Sequence, residues 1–438
     1  MTREEPRAYS RRLFLQQGVT LASIASTVPW FIQRSASGIM HPLDSAVSSL
    51  AGVPEERILV VVQLGGGNDG LNTVVPYFSD SYRLARPGIA IGAPGAPNGG
   101  AGEAIQLDEN AGLGLHPQLG GLKELHDQGL LSVIQGAGYP NPNRSHFTSM
   151  DIWHTARRDA KGNGWIGRYF DNTCNGTPTP EGAISIGRKA PLAMIGDVQK
   201  PVSFESEDLF RWLGQDLHDS MKDPYDKINR MGMPGDVEPD TQASFLMRTA
   251  LDAQLSSDRI RTAVGRRPLV EYPNNNPLAA QLRMVGAMIR DEMRTRVYYV
   301  TLGGFDTHAS QLNSHGNKMR QFGQAMNIFQ QDLKAQGNDS RVLTMVFSEF
   351  GRRVAQNASG GTDHGTAAPM FLVGPMVRPG VLGQHPSLDN LDSGDLVHTV
   401  DFRSVYASVL DDWMKSSSVD VLGEPFQKAR IFNPESLK

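Results

Sequence analysis

Cysteine is almost absent from this chain of 438 residues. The single cysteine, Cys174, excludes an intramolecular disulfide, so stability must come from a hydrophobic core and from any bound ligands. An excess of basic residues is also lacking, because 42 Lys and Arg stand against 46 Asp and Glu, for a formal net charge of −4. This balance offers no positive field for nucleic acid or for an anionic membrane surface.

Long apolar runs are missing as well, which excludes a stable membrane span, since a spanning helix needs about 20 continuous apolar residues. Near the N-terminus a basic segment, Ser10–Gln16, precedes a short apolar run, Gly18–Ile32, and then small residues. That order is typical of a secretory signal and not of an ordinary basic N-terminus. The pair Arg11 and Arg12 resembles the twin-arginine type, which addresses folded proteins for export. We therefore predict a signal at 1–38, the twin-arginine translocation machinery as a partner, and a periplasmic or extracellular location.

Patterns typical of buried strands alternate with helical patterns along the rest of the chain. Strands are predicted at Ile58–Leu64, Leu130–Ile134, Val297–Leu302 and Val342–Phe347. A helix predicted over 316–336 would connect the last two strands as a βαβ unit with parallel strands. We therefore predict one α/β domain over 50–438, with a mostly parallel central sheet flanked by helices. A charged, helix-forming composition at about 205–280 predicts a helical insertion in that domain.

Polar residues follow four of the predicted strands. They are Asn68 and Asp69; Arg144, Ser145 and His146; Asp306 and His308; and Glu349, Asp363 and His364. Because the carboxyl ends of parallel strands lie along one edge of a sheet, we expect these side chains to converge there. Four carboxylates in one cleft would repel one another without cations, and carboxylate and imidazole are ligands of divalent metals. The sequence therefore predicts a metal site, with two ions about 4 Å apart as the simplest form.

Each of these signals also has a plainer explanation. Ser145 could cap a helix, which is the usual role of a serine at that position. Glu349 could be an acid favoured by a helix dipole, and Arg352 could lie on a solvated face. Asp306 and His308 would share a face only on a strand, and beyond the strand they would form a polar loop.

A glycine-rich run at 65–70 formally satisfies the dinucleotide fingerprint G-x-G-x-x-G after a strand. Its context does not fit, because Asp69 would place a negative charge against the pyrophosphate. The β-branched residues that follow reach Pro76 within a turn or two, so no long helix offers its N-terminus to a phosphate. The nucleotide interpretation is therefore set aside.

Several long motifs carry a resemblance to a known family. They are LGGGNDGLNTVVPY at 64–77, GYPNPNRSHFTSMDIW at 138–153, GGFDTH at 303–308, FSEFGR at 347–352 and TDHGTAAPMFLVG at 362–374. Together with the twin-arginine segment they resemble the exported bacterial family called domain of unknown function 1501. That family is grouped with the alkaline-phosphatase and sulfatase superfamily, whose members hydrolyse or transfer phosphate and sulfate esters with two divalent metals. The resemblance implies an alkaline-phosphatase-like fold.

The resemblance also implies roles for particular residues. Asp69 matches an aspartate that binds one metal, and Asp306, His308 and His364 match the ligands of the other. The loop at Ser145 matches the place of the nucleophile, although Thr148 and Ser149 are nearby alternatives. Glu349 and Phe350 stand where the superfamily has an aspartate followed by a histidine, and this departure puts the second metal in doubt.

These features lead to a hypothesis of an exported, metal-dependent hydrolase of small phosphate or sulfate esters, in which Ser145 attacks with help from His146 or the metals. Arg144, Asn68 and Arg352 would bind the non-bridging oxygens. Asp363 would be a metal ligand or would orient His364. Zinc, manganese, calcium and magnesium are not distinguished. The alternative is a non-catalytic exported binding or assembly protein that keeps the fold.

Overall fold

The computed structural model describes residues 57–173, 180–198, 201–205 and 259–437. The predicted signal at 1–38, Cys174 and most of the predicted insertion at 205–280 lie outside the described residues. The chain divides into two compact units: Asp44–Ser203 with Arg266–Lys438, and Met1–Leu43 with Phe204–Gly265. The first unit contains every residue of the candidate site. The predicted domain boundaries and the insertion remain predictions.

Fourteen strands and nine α-helices are described. The strands are β1 (Ile58–Gly65), β2 (Val74–Val75), β3 (Ile105–Asp108), β4 (Leu113–Leu115), β5 (Leu131–Gly138), β6 (Ala183–Ile186), β7 (Val202–Phe204), β8 (Val297–Gly303), β9 (Val342–Phe347), β10 (Ala368–Val373), β11 (Gly380–Leu382), β12 (Leu391–Asp392), β13 (Asp395–Leu396) and β14 (Val400–Asp401). The helices are α1 (Gly70–Thr73), α2 (Asp80–Ala85), α3 (Gly120–Asp127), α4 (His146–Thr155), α5 (Trp165–Thr173), α6 (Pro277–Arg290), α7 (Gln311–Gln336), α8 (Phe402–Ser408) and α9 (Ser418–Leu422). A π-helical turn, Val409–Trp413, follows α8.

A central sheet of nine strands organises the larger unit, in the order β11-β5-β10-β9-β1-β8-β6-β7, with β14 beside β5. The pairs β1–β8, β1–β9, β6–β8, β11–β5 and β14–β5 are parallel. Strand β10 runs antiparallel to both β5 and β9. The prediction of an α/β fold with a mostly parallel sheet is confirmed. The antiparallel β10 follows from its connection, because the loop after β9 contains no crossover helix to reverse the chain's path.

Strand β1 lies in the middle of the part of the sheet whose strand ends carry the candidate site. Its continuous β-branched sequence is buried on both faces, as expected for a strand covered on either side. The predicted βαβ unit is present, since β8 and β9 are both parallel to β1, which is inserted between them. Helix α7 begins at Gln311, earlier than the predicted 316. The loops after β1, β8 and β9 therefore emerge side by side.

An aromatic stack fixes α4 against the sheet. The ring of Trp153 stacks on Phe347 at 5.0 Å and on Phe402 at 4.1 Å, and all three side chains are buried. Replacing a buried tryptophan by alanine costs about 3–5 kcal/mol in typical cores, so this contact holds the helix firmly. The consequence is positional, because α4 begins with His146 at the carboxyl edge of the sheet.

No helix among the described residues is long and apolar enough to cross a membrane.

Candidate metal centre

Three imidazoles surround the carboxylate of Asp306. Its Oδ1 lies 3.0 Å from His308 Nε2 and 3.1 Å from His364 Nε2, and its Oδ2 lies 3.6 Å from His146 Nε2. His308 Nε2 and His364 Nε2 are themselves 3.0 Å apart. Asp306 and His308 lie beyond the end of β8 at Gly303, so a loop and not a strand presents both side chains. The sequence prediction that these loops converge therefore holds for Asp306, His308 and His364.

The other ring nitrogen of each imidazole is held by an acceptor. His146 Nδ1 lies 2.9 Å from Glu349 Oε1, and His308 Nδ1 lies 3.2 Å from Asp363 Oδ1. His364 Nδ1 lies 2.9 Å from the carbonyl oxygen of Arg144. Because these partners accept hydrogen bonds, the neutral form of each ring would carry its proton on Nδ1 and turn the lone pair of Nε2 towards Asp306. Metal-binding histidines in proteins show the same arrangement: the ring nitrogen that does not bind the metal donates a hydrogen bond to an acceptor.

The donor set fits a divalent cation. Ligand atoms of His146, Asp306 and His364 all lie within 4.8 Å of one another. Nitrogen and carboxylate ligands at bonds of about 2.0–2.1 Å in a tetrahedral site are about 3.3 Å apart. The Nε2 atoms of His364 and His146 lie 3.1 and 3.6 Å from the Asp306 oxygens, close to that value. His146 Nε2 is buried without a hydrogen-bond partner in the described part of the chain. A cation would satisfy that nitrogen and offset the repulsion between facing lone pairs.

Electrostatics favour the protonation states that metal binding needs. Burial opposes ionisation of Asp306, but the hydrogen bond and positive charge of Arg352, together with His364, outweigh it and lower the pKa of Asp306 to about 2. Burial, aided by the charge of Arg352, lowers the pKa of His364. An ionised carboxylate and an unprotonated imidazole therefore coexist near neutral pH, as metal ligands must.

Arg352 is fully buried and ties the loops of the site together. Its guanidinium donates to the carbonyl oxygens of Gly67 at 2.7 Å, Thr362 at 2.9 Å and Phe305 at 3.0 Å, and also to that of Gly66. It further donates to Asp306 Oδ1 at 2.7 Å. With these donors engaged inside the protein, the geometry does not favour the predicted role of Arg352 in binding substrate oxygens.

Gly66 shows how closely these loops approach. Its φ is +118°, and a Cβ at that position would lie 2.6 Å from the backbone nitrogen of Asp306. Only glycine accepts both conditions without a shift of the neighbouring loop. The glycine-rich run after β1 therefore serves loop packing around the centre and not a pyrophosphate.

Asp69 occupies a separate, fully buried ion pair. Its Oδ2 accepts from Arg86 Nη1 at 2.7 Å, and both side chains are completely inaccessible. Burial opposes its ionisation, but the positive charge of Arg86 outweighs it and lowers the pKa of Asp69. The structure thus gives the Asp69 carboxylate an arginine partner in place of the metal predicted from the sequence. Glu349, predicted to share that metal, contacts His146 instead.

Asn68 is likewise turned inwards. It is 1% exposed, its Nδ2 donates to Thr73 Oγ1 at 2.9 Å, and its Oδ1 lies 3.0 Å from His315 Nε2. Its predicted role in binding substrate is not favoured by this position. A buried asparagine satisfied on both sides contributes to the packing of the loop after β1.

Gln311, the first residue of α7, links Asp69 to the loops that carry the candidate ligands. Its Nε2 donates to Asp69 Oδ2, while its Oε1 accepts from Thr307 Oγ1 at 3.1 Å and from Thr362 Oγ1 at 2.6 Å. Thr307 stands between Asp306 and His308, and Thr362 precedes the Asp-His pair at 363–364. Asp69 therefore acts at a distance from the centre, because it fixes the orientation of the amide that holds both loops.

Three hydroxyls near the start of α4 differ in access. Ser145 occupies the N-cap position but its side chain makes no capping hydrogen bond, and the residue is exposed. Thr148 is half-buried. Ser149 is fully buried, with its Oγ donating to the carbonyl of Glu349 at 2.5 Å and lying 2.9 Å from Tyr139 OH. Among these three residues, Ser145 is the most exposed.

Ser145 also stands between two residues that take part in the centre. The carbonyl of Arg144 holds His364, and His146 lies on the other side in the sequence. The guanidinium of Arg144 pairs with buried Asp395, with 2.9 Å between Nε and Oδ2. The backbone of this segment therefore belongs to the centre, while the Arg144 side chain is directed to a different acid.

Phe350 packs against the rings of the centre. Its own ring is 2% exposed and lies 4.8 Å from the ring of His146 and 4.9 Å from that of His364. The superfamily that the motifs resemble has a histidine at this position. This chain instead has an apolar ring that packs against two imidazoles. Such a support excludes water from one side of the rings and strengthens the local electrostatics.

Sequence reasoning did not identify Arg86, Gln311 or Asp395. Each is a lone residue outside any motif, and its charged partner lies 17 or more residues away in the sequence. No local signal marks such a residue, because only the fold brings the two partners together.

The fold and this centre define an α/β protein with a candidate site for a divalent cation. The chain belongs to the family described as protein of unknown function DUF1501, whose family model matches residues 131–430, more than half of the chain. The resemblance predicted from the motifs is thus confirmed at the level of the family. No match is found among curated proteins.

Solved structures of low identity resemble the chain. The lipoteichoic acid synthase LtaP from Listeria monocytogenes is 8% identical, with 93% of this chain and 81% of that chain covered and a TM-score of 0.35. The PsFucS1 sulfatase from Pseudoalteromonas sp. is 10% identical, with 93% and 75% covered and a TM-score of 0.34. A protein in the alkaline phosphatase superfamily from Vibrio parahaemolyticus is 8% identical, with 93% and 79% covered and a TM-score of 0.31. Scores of this size carry no argument, so the proposals below rest on the chain's own residues.

Proposed function

We propose that this chain is an exported hydrolase of phosphate or sulfate esters that depends on a divalent cation bound by His146, Asp306 and His364. One observation carries the proposal: imidazole Nε2 atoms converge on the Asp306 carboxylate while acceptors hold the opposite ring nitrogens. When bound, a cation there would lower the pKa of a nearby hydroxyl and neutralise the anionic ester group. Export rests on the twin-arginine pattern at residues 1–38.

The residues of the chain divide the work around that centre. Glu349 holds the His146 ring and Asp363 holds the His308 ring, so both imidazoles keep a fixed orientation. Ser145 offers an exposed hydroxyl beside them, and we propose it as the nucleophile. Phe350 keeps water from the buried side of the rings.

We propose one cation where the sequence predicted two. The second site required Asp69, and the buried ion pair with Arg86 already neutralises that carboxylate. Breaking a buried ion pair typically lowers stability by about 3–5 kcal/mol, so the pairing of Asp69 with Arg86 is strongly favoured. The identity of the cation is left to titration with zinc and then manganese, magnesium and calcium.

Metal titration tests the centre directly. Zinc alone, titrated into the metal-free protein by calorimetry, should bind with a stoichiometry near one, and Asp306→Ala and His364→Ala should each abolish tight binding because each removes a ligand. His126→Ala is the matched control, since His126 lies on α3 outside the centre, with its Nδ1 3.3 Å from Asp127 Oδ1. Equal zinc binding by the His364→Ala and His126→Ala proteins would contradict the proposed centre.

Hydrolysis tests the nucleophile separately. A panel of aryl phosphate, phosphodiester and aryl sulfate substrates should reveal turnover that Ser145→Ala lowers by several orders of magnitude. Thr148→Val serves as the control, because that hydroxyl lies one turn further along α4. Full turnover by Ser145→Ala would remove Ser145 as nucleophile without affecting the metal proposal.

A second candidate function is a non-catalytic metal-binding protein that takes part in binding or assembly. Phe350, in place of the histidine of the resembling superfamily, favours it because one expected metal ligand is absent. Zinc binding without turnover of any ester in the panel would support this candidate over the hydrolase.

A further inference from the structure

A cavity of ≈ 360 Å³ adjoins the candidate metal centre, within the 300–1,000 Å³ range of small-molecule sites. Two residues of its lining also contact the centre, and a third holds the backbone of Ser145 beside it. Phe350 packs on the rings of His146 and His364, and the Arg144 carbonyl holds His364. Asn143 accepts from the backbone nitrogen of Ser145 at 2.8 Å. A molecule in this cavity would therefore touch the same segments that form the centre.

One deeply buried group of the lining has no hydrogen-bond partner among the described residues. The indole Nε1 of Trp153 is a donor without an acceptor, and Trp153 is 2% exposed. Because an unpaired buried donor is destabilising, a bound molecule that accepts a hydrogen bond from the indole is favoured.

The charges around Asp395 limit what that molecule can be. Asp395 is 1% exposed, Arg144 Nε lies 2.9 Å from its Oδ2, and Arg353 Nε lies 3.4 Å from its Oδ1. These two arginines already neutralise the carboxylate, so it does not call for a cation. An anion would be repelled by the exposed carboxylate of Asp392, which lies at the same lining. A neutral ligand fits this balance.

A hydroxyl group both donates and accepts hydrogen bonds, so it can accept from the Trp153 indole and donate to the Asp395 carboxylate, whose oxygens keep lone pairs beside their arginine partners. Tyr139 and Phe350 add aromatic carbon to the lining. We propose that this cavity binds a neutral, hydroxyl-rich group such as a sugar ring or polyol. The role of this sugar or polyol in a reaction rests on the proposed function. In that reaction it is the alcohol part of the ester, and the anionic part of the ester lies at the metal centre.

Binding of uncharged methyl glycosides to the metal-free protein tests the proposal without any need for turnover. Methyl glucoside, galactoside and mannoside should give saturation-transfer signals with the wild-type chain, while choline and inorganic sulfate should not bind in the cavity. Because neither metal nor ester is present, failure of the hydrolase proposal leaves this result standing. Absence of binding by every glycoside, or preferential binding of choline or sulfate at the cavity, would overturn the proposal.

Two exposed valines provide a matched pair of variants. Val397 lines the cavity and is 42% exposed, whereas Val419 on α9 is 47% exposed and lies outside the lining. Val397→Trp should weaken glycoside binding at least about tenfold by filling the entrance, and Val419→Trp should leave it within about twofold. If the two substitutions weakened glycoside binding equally, the glycoside would bind outside this cavity.

Asp392→Asn gives a second measurement that does not depend on a bulky substitution. Asp392 is an exposed residue of the lining, and asparagine keeps a hydrogen-bonding side chain while removing its charge. A neutral ligand should keep its affinity within about threefold, because its hydrogen bonds do not require the charge. A loss of tenfold or more in Asp392→Asn would show that the occupant is cationic and would overturn the proposal.

Discussion

At the scale of single residues, the candidate centre depends on acceptors that hold its histidine rings and are not themselves among the proposed ligands. Glu349 is 2% exposed and accepts both from Gly66 N at 2.8 Å and from the ring of His146. Asp363 holds His308 in the same way but is exposed to solvent. Water can replace an exposed acceptor, whereas a buried one has no substitute.

Substitution of Glu349 by glutamine should therefore lower zinc affinity by about 10–100-fold, the usual range for an outer partner of a metal-binding histidine. Asp363→Asn should reduce zinc affinity less, because water can accept the hydrogen bond of His308 Nδ1 in place of Asp363. Competition with a chromophoric chelator measures both. A larger loss in Asp363→Asn than in Glu349→Gln would contradict the importance given to the Glu349–His146 contact.

At the scale of elements, helix α7 does more than cover the sheet. Its first residue, Gln311, is completely buried and joins Asp69 to the loops that carry the candidate ligands. Further along the same helix Gln330 is 3% exposed, and both of its amide atoms are unpaired among the described residues. The two glutamines share helix and burial but differ in their hydrogen bonds.

This difference gives a direct test of the link from Asp69 to the loops. Gln311→Leu should lower stability by roughly 2–4 kcal/mol, since it leaves buried partners unpaired, and should also weaken zinc binding. Gln330→Leu should be neutral or stabilising, because it removes unpaired polar atoms from the interior. Chemical denaturation and zinc titration of both variants provide the measurements. If the Gln311→Leu chain binds zinc as tightly as Gln330→Leu, the link does not position the loops.

At the scale of the whole molecule, buried neutral histidines connect stability to pH. Burial lowers the pKa of His154 to about 4, and its Nε2 lies 3.2 Å from the hydroxyl of Tyr299. In the unfolded chain a histidine titrates near 6.5. Below that value the unfolded state binds the proton first, so stability decreases as the pH falls from about 6.5 towards 4 and changes little from this source above it.

Replacement of His154 by phenylalanine should remove this share of the acid sensitivity. A shift from 6.5 to about 4 corresponds to roughly 3 kcal/mol at most, using about 1.4 kcal/mol for each unit. Tyr299 keeps a partner in the variant because its hydroxyl also donates to Gln63 Oε1 at 2.6 Å. Urea denaturation at pH 7 and pH 4.5 measures the difference between wild type and His154→Phe. The same loss of stability in both proteins would show that other groups control the acid response.

The molecule also shows how far its sequence predicts its structure. The bounds predicted for β9 match the observed ones, because a continuous apolar run is a local property of the sequence. The loops carrying Asp306 and His364 were predicted to meet because strand order brings strand ends together. Asp69 was predicted as a metal ligand, but a carboxylate can pair with the positive charge of an arginine as well as with that of a metal ion. The choice depends on Arg86, whose approach only the tertiary fold determines.

Arg352 has a consequence for any attempt to transfer this centre to another protein. One guanidinium binds the carbonyls of Gly66, Gly67, Phe305 and Thr362, which belong to three separate connections of the sheet. A graft that moves the histidine-bearing loops without the glycine turn after β1 would leave a buried positive charge short of acceptors. The connections are therefore a single transplantable module, and their lengths cannot be varied one at a time.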